Sequence, residues 1–163
     1  MLEQLLRVIS PETTGPDCFR GGNMHPAAFR VYGGQVLAQA VSAALATVAQ
    51  DRTIHSQHAY FLRPGNASEP IDYAVERARD GNSFSSRRVV ALQQGKPILV
   101  SSMSFQLASR GDDYQPDMPE VAPPEDLPND RQVALAAGNL DEDFMITNGE
   151  DLDVRLVGPV EWD

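Results

Sequence analysis

The stretch RVYGGQVLAQAVSAALATVA, Arg30 to Ala49, decides the fold. Val36, Leu37, Ala40, Val41, Ala44, Leu45 and Val48 recur at helical spacing, which predicts a helix of about four turns. Its many alanines let a sheet approach closely, so the helix is expected to be central and wrapped rather than solvated. Gly33 and Gly34 stand where it begins, although glycine is a poor helix former. A helix N-terminus leaves backbone N–H groups unpaired and carries partial positive charge, so glycines there clear the approach of an anion or a developing oxyanion. The same pair also suits a tight strand-to-helix turn or close packing of helix on sheet, and the residues alone leave both readings open.

Working outward, four runs of strand character follow the helix: TIHSQHAYFL ending at RPGN, IDYAVERA ending at RDGN, FSSRRVVALQQ ending at GKP, and ILVSSMSFQLAS. The separators are Pro, Gly, Asn and Asp turn signals, spaced as in antiparallel hairpins. One helix followed by a strand meander predicts an α+β fold. The opening MLEQLLRVIS reads as a short amphipathic helix, without the basic start and long apolar core of a secretion signal. From Arg110 to Asp130 the composition changes: five prolines and seven acids with almost no periodic apolar signal read as a linker. Beyond it, DRQVALAAG predicts a short helix, and DLDVRLVGPVEW resembles the first strand of a further unit. The expected organisation is therefore a folded unit over 1–109, an acidic Pro-rich linker over 110–130, and a connecting helix with the start of a second unit over 131–163.

Composition narrows the function. A chain of 163 residues, 42% hydrophobic, suits one ordinary core rather than two full domains. Thirteen basic against 23 acidic residues, net −10, argue against nucleic acid as the main partner, while a local basic patch could still hold an anionic small molecule. Cys18 is the single cysteine, which rules out an intrachain disulfide or a cysteine zinc cluster and fits a reducing compartment, by default the cytoplasm. No apolar run approaches the ~20 residues of a membrane span. No cofactor is expected.

Several residues are candidates for chemistry. His55 and His58 differ by three, so a regular strand points them to opposite faces, His55 with Gln57, Ala59 and Phe61, His58 with Ser56, Tyr60 and Leu62. That disfavours a two-histidine metal site and leaves each a structural residue or an acid/base group, with His58 the better placed to face a polar cleft. Arg63, Arg87 and Arg88 could hold phosphates by charge-assisted bonds, or pair with acids on a solvated face. The Asp80-Gly81-Asn82 turn would put Ser83 and Ser85 at a hairpin mouth where donors can meet a ligand. Gln35 and Gln39, four apart, share a helix face, either as ligand donors or as satisfied amides. Cys18 reads as inert packing.

VYGGQVLAQAV, HSQHAYFLRPGN, VERARDGNSFSSRRVVALQQGKPILVSSMSFQ and MPEVAPPEDLP, taken in order, resemble the N-terminal half of type II (TesB-like) acyl-CoA thioesterases over about Phe19 to Trp162. The resemblance implies a hotdog fold, a long central helix wrapped by an antiparallel sheet, and hydrolysis of acyl-CoA to free fatty acid and coenzyme A. In that family a second hotdog follows and carries the Asp, Gln and Thr that orient the hydrolytic water; nothing here matches those three, so no catalytic residue is assigned and the chain is expected to be a fragment, a shortened form or one half of a split enzyme. The backbone donors of Gly34 and Gln35 become candidates for part of an oxyanion site, with Gly33 and Gly34 clearing the approach, and Arg63 or Arg87 for steering phosphate. His58 and Ser83 complete the substrate-binding candidates, and Leu99, Met103 and Phe105 are expected to line an acyl channel. Self-association, or pairing with a C-terminal hotdog half, is implied for the unpaired sheet edge, expected at ILVSSMSFQLAS or at the strand ending in HAYFL. A non-catalytic acyl-CoA-binding or assembly module, and a hotdog enoyl-CoA hydratase, are the alternatives; the second would need a positioned Asp/His pair that the expected helix–loop location lacks.

Overall fold

The structure is a computed structural model that describes residues 2–138 and 153–158. The chain divides into two units, one covering Leu2–Arg110 and the other the residues from Gly111 onward. In the first, helix α1 (Leu2–Val8) leads into strands β1 (Glu12–Gly15) and β2 (Cys18–Gly21). Helix α2 (Gly33–Leu45) follows, and then strands β3 (Arg52–Phe61), β4 (Ile71–Asp80), β5 (Phe84–Gln93) and β6 (Lys96–Leu107). The strands form one antiparallel sheet in the order β1-β2-β4-β5-β6-β3. The expected α+β meander is present, with β3 crossing to the far edge.

The helix lies mainly over β5, and the alanines explain why it fits. Ala40, Ala43 and Ala44 are wholly buried beside Ile71, Tyr73, Val89, Ala91, Leu99 and Phe105 on the inner face of the sheet. Alternation does the rest: along β5, Ser85, Arg87, Val89, Ala91 and Gln93 point inward, and Ser86, Arg88, Val90 and Leu92 outward. Two turn features fix the hairpins. Gln94 and Gly95 both take positive φ, 49° and 72°, in the two-residue loop joining β5 to β6. Asp17, at φ 55°, closes the β1–β2 turn, where Arg77 grips its carboxylate at 2.9–3.1 Å and holds that carboxyl below its ordinary range.

Two expectations about β3 and β6 change. β6 is an interior strand, between β5 and β3, so of the two expected edges only β3 is one. The strand is also not regular: Ile54 pairs with Phe105 and Ser56 with Ser104, leaving His55 as an extra residue in a β-bulge. The bulge inverts the parity on either side of it. His55 Nε2 lies 2.8 Å from Ser104 Oγ, and His58 pairs with Ser102, both serines outward-facing, so the two histidines share the outer face instead of opposing one another. Gln57, Ala59 and Phe61 take the inner side.

In the second unit, residues 111–123 are exposed and form no helix or strand, a 3-10 turn spans Pro124–Asp126, and helix α3 covers Asp130–Ala137. Asn129 and Gln132 form a reciprocal capping box and Gly138 closes the helix in the left-handed region, matching the predicted short helix. Of the expected strand over 151–162, the described part 153–158 makes an isolated bridge, Asn129 to Arg155; positions 151–152 and 159–162 lie outside the described residues.

Candidate functional site at the helix N-terminus

Helix α2 begins without a side-chain cap. Tyr32 is extended (φ −65°, ψ 127°), and its carbonyl takes the first helical bonds, from Gln35 N (3.1 Å) and Val36 N (3.4 Å). The N–H groups of Gly33 and Gly34 precede those bonds and are left for another acceptor. What occupies the space of the missing side chains is aromatic. A Cβ on Gly33 would sit 3.0 Å from Phe61 Cζ at the end of β3, and one on Gly34 would sit 2.5 Å from Tyr32 Cε1. The glycines therefore serve close approach, with the chain's own rings as walls. Tyr32 is 72% exposed, and with Phe61, also exposed, it gives the helix end an open apolar surface.

Gln35 does not reach toward that opening. Its Nε2 donates to Asn23 Oδ1 (2.8 Å) and Gly22 O (3.3 Å), while its Oε1 accepts from Met24 N (2.9 Å). Asn23 in turn donates to the carbonyls of Ala67 and Glu69, and Gln93 donates to those of Asn66 and Glu69. One amide network thus pins both loops that flank the helix start. A turn further on, wholly buried Gln39 donates to Val8 O and Gly22 O and accepts from the Tyr73 hydroxyl (2.6 Å), and burial pushes that hydroxyl's pKa far up. Both glutamines are satisfied amides, the bland alternative for each side chain.

The other candidates fall at two ends. Arg63 follows Phe61 by two residues; it is exposed and donates to Pro97 O (2.7 Å). Arg87 lies at the opposite end of the helix, roughly 20 Å away by helical rise. Its side chain is 1% exposed, and it donates to Thr47 Oγ1, Thr47 O, Arg79 O, Ser86 O and Asp80 Oδ1. Those bonds tie the carbonyl end of α2 to the β4–β5 hairpin, and they consume the donors that a phosphate would need. Asp80 is held below the ordinary carboxylate range by that arginine, helped by Ser85. Ser83 sits exposed at the tip of the same hairpin, where its carbonyl accepts from Leu107 N. His58 is exposed on the outer face with its ring edge-on to Tyr60 (4.7 Å). Leu99, Met103 and Phe105, expected to line a channel, are instead packed into the core beneath α2, because the helix covers the middle of the sheet. Among the described residues no group of three His, Cys, Asp or Glu could hold a metal, and no helix is long and apolar enough to cross a membrane.

A helix seated on one face of a six-stranded antiparallel sheet is the hotdog arrangement. A protein from Alicyclobacillus acidocaldarius described as having that fold superposes with TM-score 0.66 at 18% identity, over 77% of this chain and 48% of its own. The sequence profile of the acyl-CoA thioesterase N-terminal domain matches residues 21–106. The chain belongs to that family. It is 45% identical to acyl-coenzyme A thioesterase 8 from Homo sapiens over 121 residues, which is 74% of this chain and 38% of the human one. It is also 38% identical to a tesB protein from Mycobacterium avium subs paratuberculosis, with TM-score 0.71 over 78% of this chain and 50% of that one. The match spans 38% of the human enzyme and half of the mycobacterial protein.

Proposed function

We propose that the protein carrying this chain hydrolyses acyl-CoA. The observation that carries the reading is the uncapped start of α2, Gly33 against Phe61 and Gly34 against Tyr32, in a chain of this family. Water adds to the thioester carbonyl, a C–O bond forms, the C–S bond breaks, and the coenzyme A sulfur leaves with the proton that water gives up. The charge that develops on the carbonyl oxygen is what two backbone N–H donors at a helix N-terminus stabilise. Gly33 and Gly34 supply them, Gln35 fixes the loops beside them, and Arg63 steers the phosphates of coenzyme A. The activating Asp, Gln and Thr are assigned to the second hotdog unit that the resemblance implies. That unit, or a second copy, pairs with the β3 edge. The single cysteine fits a cytoplasmic enzyme.

A thiol-trapping assay tests this. Residues 1–163 alone are expected to release little thiol from saturated acyl-CoA, and the protein with both units to turn over near the ~10 s⁻¹ of ordinary enzymes. Hydration of enoyl-CoA without thiol release would replace the reading with a hydratase. Tight acyl-CoA binding with no turnover by the two-unit protein would replace it with a binding module.

A further inference from the structure

Ser85, Arg87 and Gln93 are the polar residues that β5 turns inward, and β6 adds one more beside the β3 edge. Ser101, wholly buried between Leu99 and Met103, pairs with Ala59 on β3 and Val89 on β5. Its hydroxyl donates to the His58 carbonyl (3.3 Å) and accepts from Gln57 Nε2 (3.2 Å). Gln57 itself is exposed, on the inner side of the edge strand, and among the described residues no donor reaches its Oε1. An amide oxygen is thus held in a fixed direction by a buried hydroxyl, on a surface otherwise made of hydrocarbon.

That surface is the flank of α2 opposite the glutamines. Gln35 and Gln39 bond toward β2 and β4, so Leu37 and Val41, partly buried on the other side, lean toward β6 and β3 beside Ala59 and Ile54. Along β3 the inward residues read Phe61, Ala59, Gln57: a ring over Gly33, then a small residue, then the amide. Four residues of strand cover about 13 Å, the length of about ten saturated carbons in extended form.

We propose that Gln57 determines specificity on this flank: it marks where a saturated acyl chain stops, and it accepts a hydrogen bond from a hydroxyl carried on the acyl chain at that depth. The inference rests on the thioester reading above, with the carbonyl at Gly33. Methylenes pushed past Gln57 would cover its oxygen without offering a donor, whereas a hydroxyl would satisfy it.

Binding of non-hydrolysable thioether analogues of acyl-CoA to the full chain tests it by calorimetry, using saturated chains shorter and longer than this span and a chain hydroxylated at that depth. Gln57→Leu and Gln57→Met are expected to tighten the long saturated analogues about tenfold, leave the short ones unchanged, and abolish the preference for the hydroxylated one. A shift of equal size at every length, or none, overturns the assignment while leaving the thioester reading intact. Failure of the unaltered chain to bind any analogue overturns both.

Discussion

Adjacent glycines Gly21 and Gly22 give opposite expectations for the same substitution. Gly21 ends β2, pairs with Ile71 and faces the helix, and a Cβ there would lie 2.6 Å from the Cδ, Nε2 and Oε1 of Gln39. That amide cannot retreat, because it is wholly buried and held by Val8 O at 2.6 Å, Gly22 O at 2.8 Å and the Tyr73 hydroxyl at 2.6 Å. Overpacking costs about 1–3 kcal/mol, and stranding a buried polar partner about as much again. Gly21→Ala is therefore expected to lose about 2–5 kcal/mol, lowering the melting temperature by about 10–25 °C for a domain of this size. A Cβ on Gly22 meets nothing within 4 Å and needs no left-handed backbone, so Gly22→Ala is expected within about 0.5 kcal/mol of the parent. Thermal and urea unfolding followed by circular dichroism measure both. The Gly21→Ala, Gln39→Ala pair adds a second reading, since the two losses should be strongly non-additive once the amide is gone. A Gly21→Ala protein as stable as the Gly22→Ala protein would refute the account of this contact.

Three further outcomes follow from the same geometry. Asp80→Asn strips the carboxylate from buried Arg87 and is expected to cost about 1–3 kcal/mol, while Asp72→Asn, opposite half-exposed Arg20, should leave urea unfolding unmoved. Because Arg87 lowers the Asp80 pKa, that stabilisation is complete above the ordinary carboxylate value and fades as acid carries the group through its depressed folded value. The difference between parent and Asp80→Asn should accordingly shrink below about pH 4. Gly33→Val drives a branched side chain against Phe61 and over the helix N–H groups, and should cut thiol release by the two-unit protein about a hundredfold with the fold intact; an unchanged kcat would remove Gly33 from the site. Gly95→Ala, forced to φ near 72°, should cost about 1 kcal/mol, which differential unfolding against the parent detects.

The helix was legible because seven apolar positions and a run of alanines admit few other structures, and the hairpins because each turn carries its own residue signal. The site was legible only in part. Gly33 and Gly34 stand where the sequence places them, but their neighbours Phe61 and Tyr32 are set by how β3 returns to the helix start, a long-range event without local trace. Arg87 illustrates the harder case. An arginine in an acidic chain reads as a surface cation, yet alternation along β5 puts it in phase with Val89 and Ala91, and Thr47 just past the helix end supplies its carbonyl and hydroxyl for it. The phase was available in the sequence; the partner was not. His55 and His58 show the reverse, since spacing of three is decisive on a regular strand and loses its meaning across one inserted residue. Leu99, Met103 and Phe105 were rightly placed on the apolar face, but which part of that face the helix covers depends on where it lands.

The bulge at His55 also bears on how chain length can vary. Even-numbered residues face inward before it and odd-numbered ones after it, so β3 is written in two frames joined at one point. A deletion inside either frame would throw the residues beyond it onto the wrong face. Removing His55 alone would merge the frames and leave Ile54, Gln57, Ala59 and Phe61 inward, at the cost of its contact with Ser104. A shift of the whole strand by two residues would carry the bulge with it and keep inward residues against inward ones, so what opposes it is the contacts it breaks, His55 with Ser104 and Gln57 with Ser101. An edge strand, paired on one side only among the described residues, is the one most prone to such sliding, and here those two side-chain contacts are what hold it in place.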